Sequence, residues 1–309
     1  MKPNGTKIWE KIKRQSHKNE LKVLFMPYKA EMWDCLWSIY EAAVLDPYTY
    51  VDVLPMPYGI KKRGMVMKIR VDKFDVFESI NEEALNKHYD IIFIHNIYDQ
   101  NNLITECLYK TANLRACTDR LIYVPYFVSQ KMPEEFIRQP GIKNVTDVVA
   151  EPQDAKTFKR ILKEVGNKAR VIKGKSPKYD YVSEPVLIPP EWLKTIGRRQ
   201  EVILVNVHLN KLINDKYRSR YIRSKLSQYA HDPHICVIFR PHPLATEAIQ
   251  AAHPEWLGEW QNLVRWIKSI NNFIYDTTSD YRLAFTASTK MITDGSSLKL
   301  LYDKPMEEL

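Results

Sequence analysis

Apolar runs of five to seven residues alternate with helix-length stretches along most of the chain, and that alternation restricts the fold more than any other feature. In the first half the runs are KVLFM (22–26), YVDVLPM (50–56), DIIFIH (90–95), RLIYVPY (120–126) and TDVVA (146–150). Helical patterns stand between and after them, the clearest being AEMWDCLWSIYEAAVL (30–45) and DAKTFKRILKEV (154–165), with Asp154 as an expected N-cap. A second series follows: EVILVNVHL (201–209), the basic stretch DKYRSRYIRSKLSQYA (215–230), HICVIF (234–239), a helix-rich stretch over 245–270, NFIYD (272–276), a short helix over 279–287, and KMITD (290–294). Strands that are apolar at nearly every position belong to parallel sheets covered on both faces. The pattern therefore predicts two Rossmann-like α/β domains, 1–178 and 179–309, joined through the Pro-rich stretch 173–192 and separated by a cleft.

Composition narrows the partners without choosing among them. The chain has 309 residues, 45% of them hydrophobic, which is enough for two buried cores; its formal net charge of +9 suits a nucleic acid, an anionic membrane face or a phosphate-rich substrate. Cys35, Cys107, Cys117 and Cys236 are widely spaced and have no Cys/His metal spacing, so buried free thiols are expected, with no metal. No apolar stretch reaches the ~18 residues needed to span a bilayer, and the N-terminus lacks the apolar core of a signal peptide, so a cytoplasmic location is expected. Ile8, Trp9 and Ile12 share a helical face ringed by Lys7, Lys11, Lys13 and Arg14. Such a helix either makes a peripheral contact with an anionic membrane or packs by its apolar edge on the domain.

The ends of three strands in the second series are polar. In open parallel sheets ligands bind beyond the carboxyl ends of the strands, where helix N-termini offer N–H groups to anions. TDGSSLKLLY places Gly295 in a tight turn with Ser296 and Ser297 at the first helical turn, although Asp294 or Ser296 serving only as a cap accounts for the same residues. TTSDYR (277–282) has the same two readings, with Ser279 or Asp280 as cap. RPHP (240–243) sets Arg240 and His242 at the exit of one strand, a compact cationic pair suited to a diphosphate. If these strands share a sheet, all three polar ends open on one crevice, which points to a phosphate-containing nucleotide.

These motifs resemble the CDP-glycerol glycerophosphotransferases, the bacterial enzymes of teichoic-acid-type polymer synthesis. RPHP (240–243), YDTTSDYRLAFTAS (275–288) and ITDGSSL (292–298) stand in that family's order, and KGKSPKYD (173–180) resembles the stretch before its donor domain. MPYKAEMWDCLWSIYEAA (26–43), VLPMPY (53–58), FIHNIYD (93–99) and YVPYFV (123–128) look like a subgroup of the same proteins. The resemblance implies a GT-B-like fold and transfer of glycerol phosphate, or a related polyol phosphate, from a CDP-activated donor to a hydroxyl of a lipid-linked or glycan acceptor, with release of CMP and no cofactor. It implies that His242 is a functional donor-domain histidine, that Asp294, Ser296 and Ser297 form a phosphate-binding turn, and that Asp280 lies beside the donor.

For such a transfer Arg240, His242 and the Ser296–Ser297 turn would stabilise phosphate charge, with His242 alternatively protonating the leaving phosphate. A base would come from the first domain, where His95, with Asp99 near it in sequence, is the candidate; His208, with Asn206 beside it, is a second. Two other readings stand beside this one. A GT-B glycosyltransferase using a nucleotide sugar would keep the fold and the diphosphate site. A polyanion-binding protein is suggested by KYRSRYIRSK (216–225), whose tyrosines interleave with cations, but no nucleic-acid motif accompanies it and nucleic acid is not the expected partner.

Overall fold

The computed structural model describes residues 2–62, 65–71, 80–99 and 107–309. The chain divides into two compact units, Met1–Glu184 and Pro185–Leu309. Each is built on a parallel sheet, as the apolar runs require, and together they have the two-domain architecture of a GT-B-like α/β protein.

The first unit contains β1 (Leu21–Met26), β2 (Thr49–Val53), β3 (Tyr58–Lys62), β4 (Met65–Arg70), β5 (Tyr89–Ile94), β6 (Thr118–Tyr123), β7 (Asp147–Ala150) and β8 (Arg170–Lys173). Six of them form a sheet in the order β2-β1-β5-β6-β7-β8, every pair parallel, and β3 and β4 pair as a separate antiparallel hairpin. Burial on both faces explains the apolar runs. Leu24, Met26, Ile92, Ile94, Leu121 and Val148 pack with Phe158, Ile161 and Leu162 of helix Ala155–Glu164. The alternate residues Val23, Phe25, Ile91, Phe93 and Ile122 pack on the opposite face with Ile8, Trp9, Ile12 and Ile39.

That second layer decides between the two readings of the N-terminal helix, Asn4–Arg14. Ile8, Trp9 and Ile12 are buried beneath the sheet, so its apolar face is part of the core and is not available to a membrane. Exposing the three side chains would forfeit about 5–9 kcal/mol of burial. The helix start is held by Asp180, which accepts from Asn4 N (2.9 Å), Gly5 N (2.8 Å), Asn4 Nδ2 (2.9 Å) and Ser38 Oγ (2.7 Å). A β-carbon at Gly5 would lie 2.2 Å from Ser38 Oγ, so only glycine permits this approach. Because of these bonds, residues 179–184, expected in the second domain, pack with the first.

The second unit contains β9 (Glu201–Val207), β10 (Ile235–Pro241), β11 (Phe273–Tyr275), β12 (Lys290–Thr293) and β13 (Met306–Glu308). They form one parallel sheet in the order β11-β10-β9-β12-β13. Val205, Val237, Phe239 and Ile292 face a core made with Leu212, Ile222, Leu226, Trp260, Leu263 and Ile267. These come from helices Leu209–Asn214, Arg218–Ser227 and Leu257–Ser269. Among the described residues no helix is long and apolar enough to cross a membrane, and no group of His, Cys, Asp and Glu could hold a metal ion. The four cysteines are free; Cys35 and Cys236 are buried, whereas Cys107 is exposed and Cys117 half-buried.

Candidate functional site

The strand order brings the polar strand ends of the second unit to one edge of one sheet. Thr293 on β12, Asn206 on β9 and Arg240 on β10 are in register across three neighbouring strands, so their side chains share a face. Arg240 and Asp276, both buried, form an ion pair between the ends of β10 and β11. Arg240 Nη1 also donates to Thr278 Oγ1 (3.1 Å), and Asp276 Oδ1 accepts from Thr278 N (2.8 Å) and Oγ1 (2.7 Å). The pair is thus fixed at one end of the guanidinium; its Nε and Nη2 make no hydrogen bond among the described residues.

A pocket of about 100 Å³ opens over this pair, lined by Arg240, His242, Thr246, Asp276, Thr277 and Thr278 among others. His242 Nδ1 accepts from Leu244 N (3.1 Å), which places the proton of the neutral ring on Nε2 as a donor. Helix Ala245–Ala252 begins beside it, and Ala245 and Thr246 of its first turn line the pocket. Asp276 neutralises Arg240, so the pocket offers directed hydrogen-bond donors rather than surplus positive charge.

The other expected residues are arranged differently. Asp294 is turned inward: Oδ1 accepts from His208 N (2.6 Å), and Oδ2 pairs with Arg218 Nη2 at 2.7 Å. Its carboxylate is engaged in holding β9, β12 and helix Arg218–Ser227 together and does not present itself to a ligand. Gly295 has φ +113°, the left-handed side that glycine tolerates. Ser296 accepts from Leu298 N (3.3 Å) and so caps a single 3-10 turn, Ser297–Leu300, with Ser297 exposed. Asp280 is bound by Arg282 through Nε (2.9 Å) and Nη2 (2.6 Å). Neither Asp280 nor the Gly295–Ser297 turn lines the pocket. His208 caps helix Leu209–Asn214, its Nδ1 accepting from Asn210 N (3.2 Å).

In the first unit His95 is fully buried, and its Nε2 accepts from Tyr28 N (2.7 Å). Burial, with the nearby Lys178 ammonium as a secondary cause, pushes its pKa down to about 3. A neutral ring whose basic nitrogen is spent on a backbone N–H, out of contact with solvent, cannot take a proton from a substrate, so the expected base is instead a structural acceptor. Asp99 does not help it, since its carboxylate accepts from Thr111 N (2.9 Å) and Oγ1 (2.6 Å).

Three functional-looking groups, Asp276, Thr278 and Thr293, escaped the sequence, and Asn206 stands out in it only as the neighbour of His208. Asp276 and Thr278 are meaningful only once β11 is known to adjoin β10. Asn206 Oδ1 and Thr293 Oγ1 are buried on the same strand edge without hydrogen-bond partners among the described residues. Only the spacing of Arg218, Ile222 and Leu226 along one buried helix face held a usable signal, in that case for the partner of Asp294.

No protein-family model matches the chain, and no curated protein matches it. Solved structures do. A putative UDP-N-acetylglucosamine 2-epimerase from Listeria monocytogenes is 13% identical with TM-score 0.56, over 94% of this chain and 79% of that one. The UDP-GlcNAc 2-epimerase of Methanocaldococcus jannaschii gives 11% and 0.54, over 94% and 84%. A UDP co-structure of S. aureus MnaA gives 12% and 0.53, over 93% and 78%. Likeness at this identity shows a shared fold. It also corrects the resemblance drawn from sequence: the neighbours are UDP-GlcNAc 2-epimerases rather than CDP-glycerol glycerophosphotransferases, so the CDP-polyol donor, the release of CMP and the glycerophosphotransferase activity are withdrawn. The misreading has a physical source. Motifs such as RPHP and DGSS occupy strand ends of a shared architecture, and such short strings do not specify the group being transferred.

Proposed function

We propose that the protein is an enzyme acting on a nucleotide sugar, whose diphosphate is seated in the pocket at the ends of β10 and β11. The observation that carries this reading is the buried Arg240–Asp276 pair beneath a pocket that His242 also lines. The fold shared with UDP-GlcNAc 2-epimerases, one of them a UDP co-structure, supports the choice of a nucleotide sugar. Arg240 Nε and Nη2 and His242 Nε2–H are the donors to the diphosphate, and Asp276 orients Arg240. The Gly295–Ser297 turn, beyond β9 at the end of β12, is assigned to the nucleoside side of the ligand, whereas Asp280 adjoins Thr278 on the β11 side of the pocket.

In glycosyl transfer an acceptor oxygen forms a bond to the anomeric carbon while the bond from that carbon to the diphosphate oxygen breaks. The nucleoside diphosphate leaves with the electron pair, and the hydroxyl proton passes to a base or to water. Arg240 and His242 stabilise the charge that develops on the leaving oxygen. A second reading, epimerisation at C2 of the sugar, is favoured by what the neighbouring structures are. Calorimetric titration of UDP, UDP-N-acetylglucosamine and CMP, on the wild type and on His242→Ala, tests the site. Binding of UDP ligands weakened about tenfold or more in the variant, the scale of one charge-assisted hydrogen bond, supports it. Equal affinity in both proteins removes His242 from the site, and no binding by the wild type removes the reading. NMR of UDP-N-acetylglucosamine incubated with the protein then separates the reactions, since epimerisation needs no acceptor.

A further inference from the structure

Helix Arg218–Ser227 turns Arg218, Ile222 and Leu226 into the domain and leaves a second face in solvent. Lys216, Tyr217, Arg220, Tyr221, Arg223 and Lys225 are all exposed on or beside that face. Residues 216–225 contain five cations and no acid. Two of the five have carboxylate partners, Arg218 with Asp294 and Arg220 with Glu259. Lys216, Arg223 and Lys225 have none among the described residues.

The arrangement of the tyrosines bears on the partner. Lys216 Nζ stands 4.7 Å and the Arg220 guanidinium 5.8 Å from the centre of the Tyr217 ring. The Arg218 guanidinium and Lys225 Nζ stand 5.0 Å and 5.7 Å from that of Tyr221. Both rings are already engaged by cations of their own helix. They are therefore poor platforms for stacked bases, which single-stranded nucleic acid binding requires. What remains is a helix face roughly 15 Å long carrying cations and hydroxyl-tipped aromatic rings, with Arg220 and Arg223 at its border lining a groove shared with Glu259 and Asn262. An exposed run of cations without acids complements an extended anionic surface, and tyrosines suit the headgroup depth of a bilayer.

We infer that this ridge docks the protein on a membrane surface rich in anionic phospholipid. The site is independent of the nucleotide-sugar reading and lies on a different element from the buried N-terminal helix face. The test is co-sedimentation with phosphatidylglycerol-containing vesicles and with pure phosphatidylcholine vesicles, at low and high salt. It compares the wild type, K216Q/R223Q/K225Q and the control K156Q/K159Q/K163Q, which removes equal charge from the exposed side of helix Ala155–Glu164. All six substituted sites are solvent-exposed, and thermal melts confirm that each protein is folded. The expected result is salt-sensitive binding to anionic vesicles only, weakened on the order of 100-fold in the ridge variant, about fivefold per cation, and far less in the control. Failure of the wild type to bind anionic vesicles overturns the inference. So does equal binding by the ridge variant, or an equal loss in the control, which would reduce the effect to net charge. Tighter binding to a single-stranded oligonucleotide than to the vesicles, lost in the ridge variant, would reassign the surface to nucleic acid.

Discussion

Arg218 and Asp294 are 76 residues apart in sequence, yet Nη2 of one lies 2.7 Å from Oδ2 of the other, and both side chains are at least nine-tenths buried. The pair ties a basic helix to the end of β12, and it converts an expected ligand carboxylate into a structural one. Breaking one side of such a pair leaves an uncompensated buried charge, at a cost of about 3–5 kcal/mol. Arg218→Met and Asp294→Asn should each destabilise strongly. The double variant should be less destabilised than the sum, because the substituted amide keeps an acceptor for His208 N–H and no lone charge remains. Urea denaturation of the three variants measures this coupling.

Asp276 should act on ligand through Arg240. Asp276→Asn keeps the shape of the side chain but releases the guanidinium, and Arg240→Lys removes the planar fork. Each should weaken UDP about 10-fold, the scale of one charge-assisted hydrogen bond, and the double variant should be little worse than either single one. Additive losses in calorimetry would mean that the two residues act separately.

Gly5→Ala should destabilise the first unit by about 2 kcal/mol or more, since the added methyl meets Ser38 backbone that cannot yield without moving helix Asn4–Arg14. Gly5→Ala with Ser38→Ala should not restore stability, because the carbonyl carbon of residue 38 at 2.4 Å remains. Thermal unfolding of the two variants distinguishes a backbone clash from a side-chain one.

His95 predicts a pH dependence of stability. Its folded pKa is about 3, below the ordinary value of 6.5, so between those values the unfolded chain binds a proton that the folded one does not. Stability is then complete above about pH 6.5 and falls as the pH drops toward 3, by roughly 1 kcal/mol per unit. His95→Gln, which retains an acceptor for Tyr28 N–H, should flatten the acid limb of a stability–pH curve measured by denaturant titration. An unchanged limb would assign the loss to other groups.

The sheets were legible because β1, β5, β9 and β10 are buried on both faces and so apolar at nearly every position. Where that cause is missing, so is the signal. β8 (RVIK) lies at a sheet edge with one buried residue, and β13 (MEE) is an exposed edge strand with none. The hairpin of β3 and β4 lies outside both parallel sheets and follows neither series. The stretch 30–45 carries helical periodicity yet begins as a 3-10 segment, Ala30–Cys35, before the α-helix Trp37–Val44. At the candidate site RPHP could be read directly, since strand and turn are contiguous. The partners of Arg240 and Asp294 could not, because both depend on which strands are neighbours. His95 misled for a related reason: a histidine ending a strand has the same local sequence whether it faces a crevice or a backbone amide.

Three of the four hydrogen bonds to Asp180 join the first helix of the first unit to its last, and the fourth adds Ser38 of helix Trp37–Val44. In covalent terms that unit is a line, but in its contacts it is a loop fastened within a few residues of both ends. Residue 4 and residue 180 therefore share one fixed point, and the peptide leaving toward Pro185 starts from an anchored position. Any tension applied at that exit bears first on Asp180 and, through it, on the amino end of the chain.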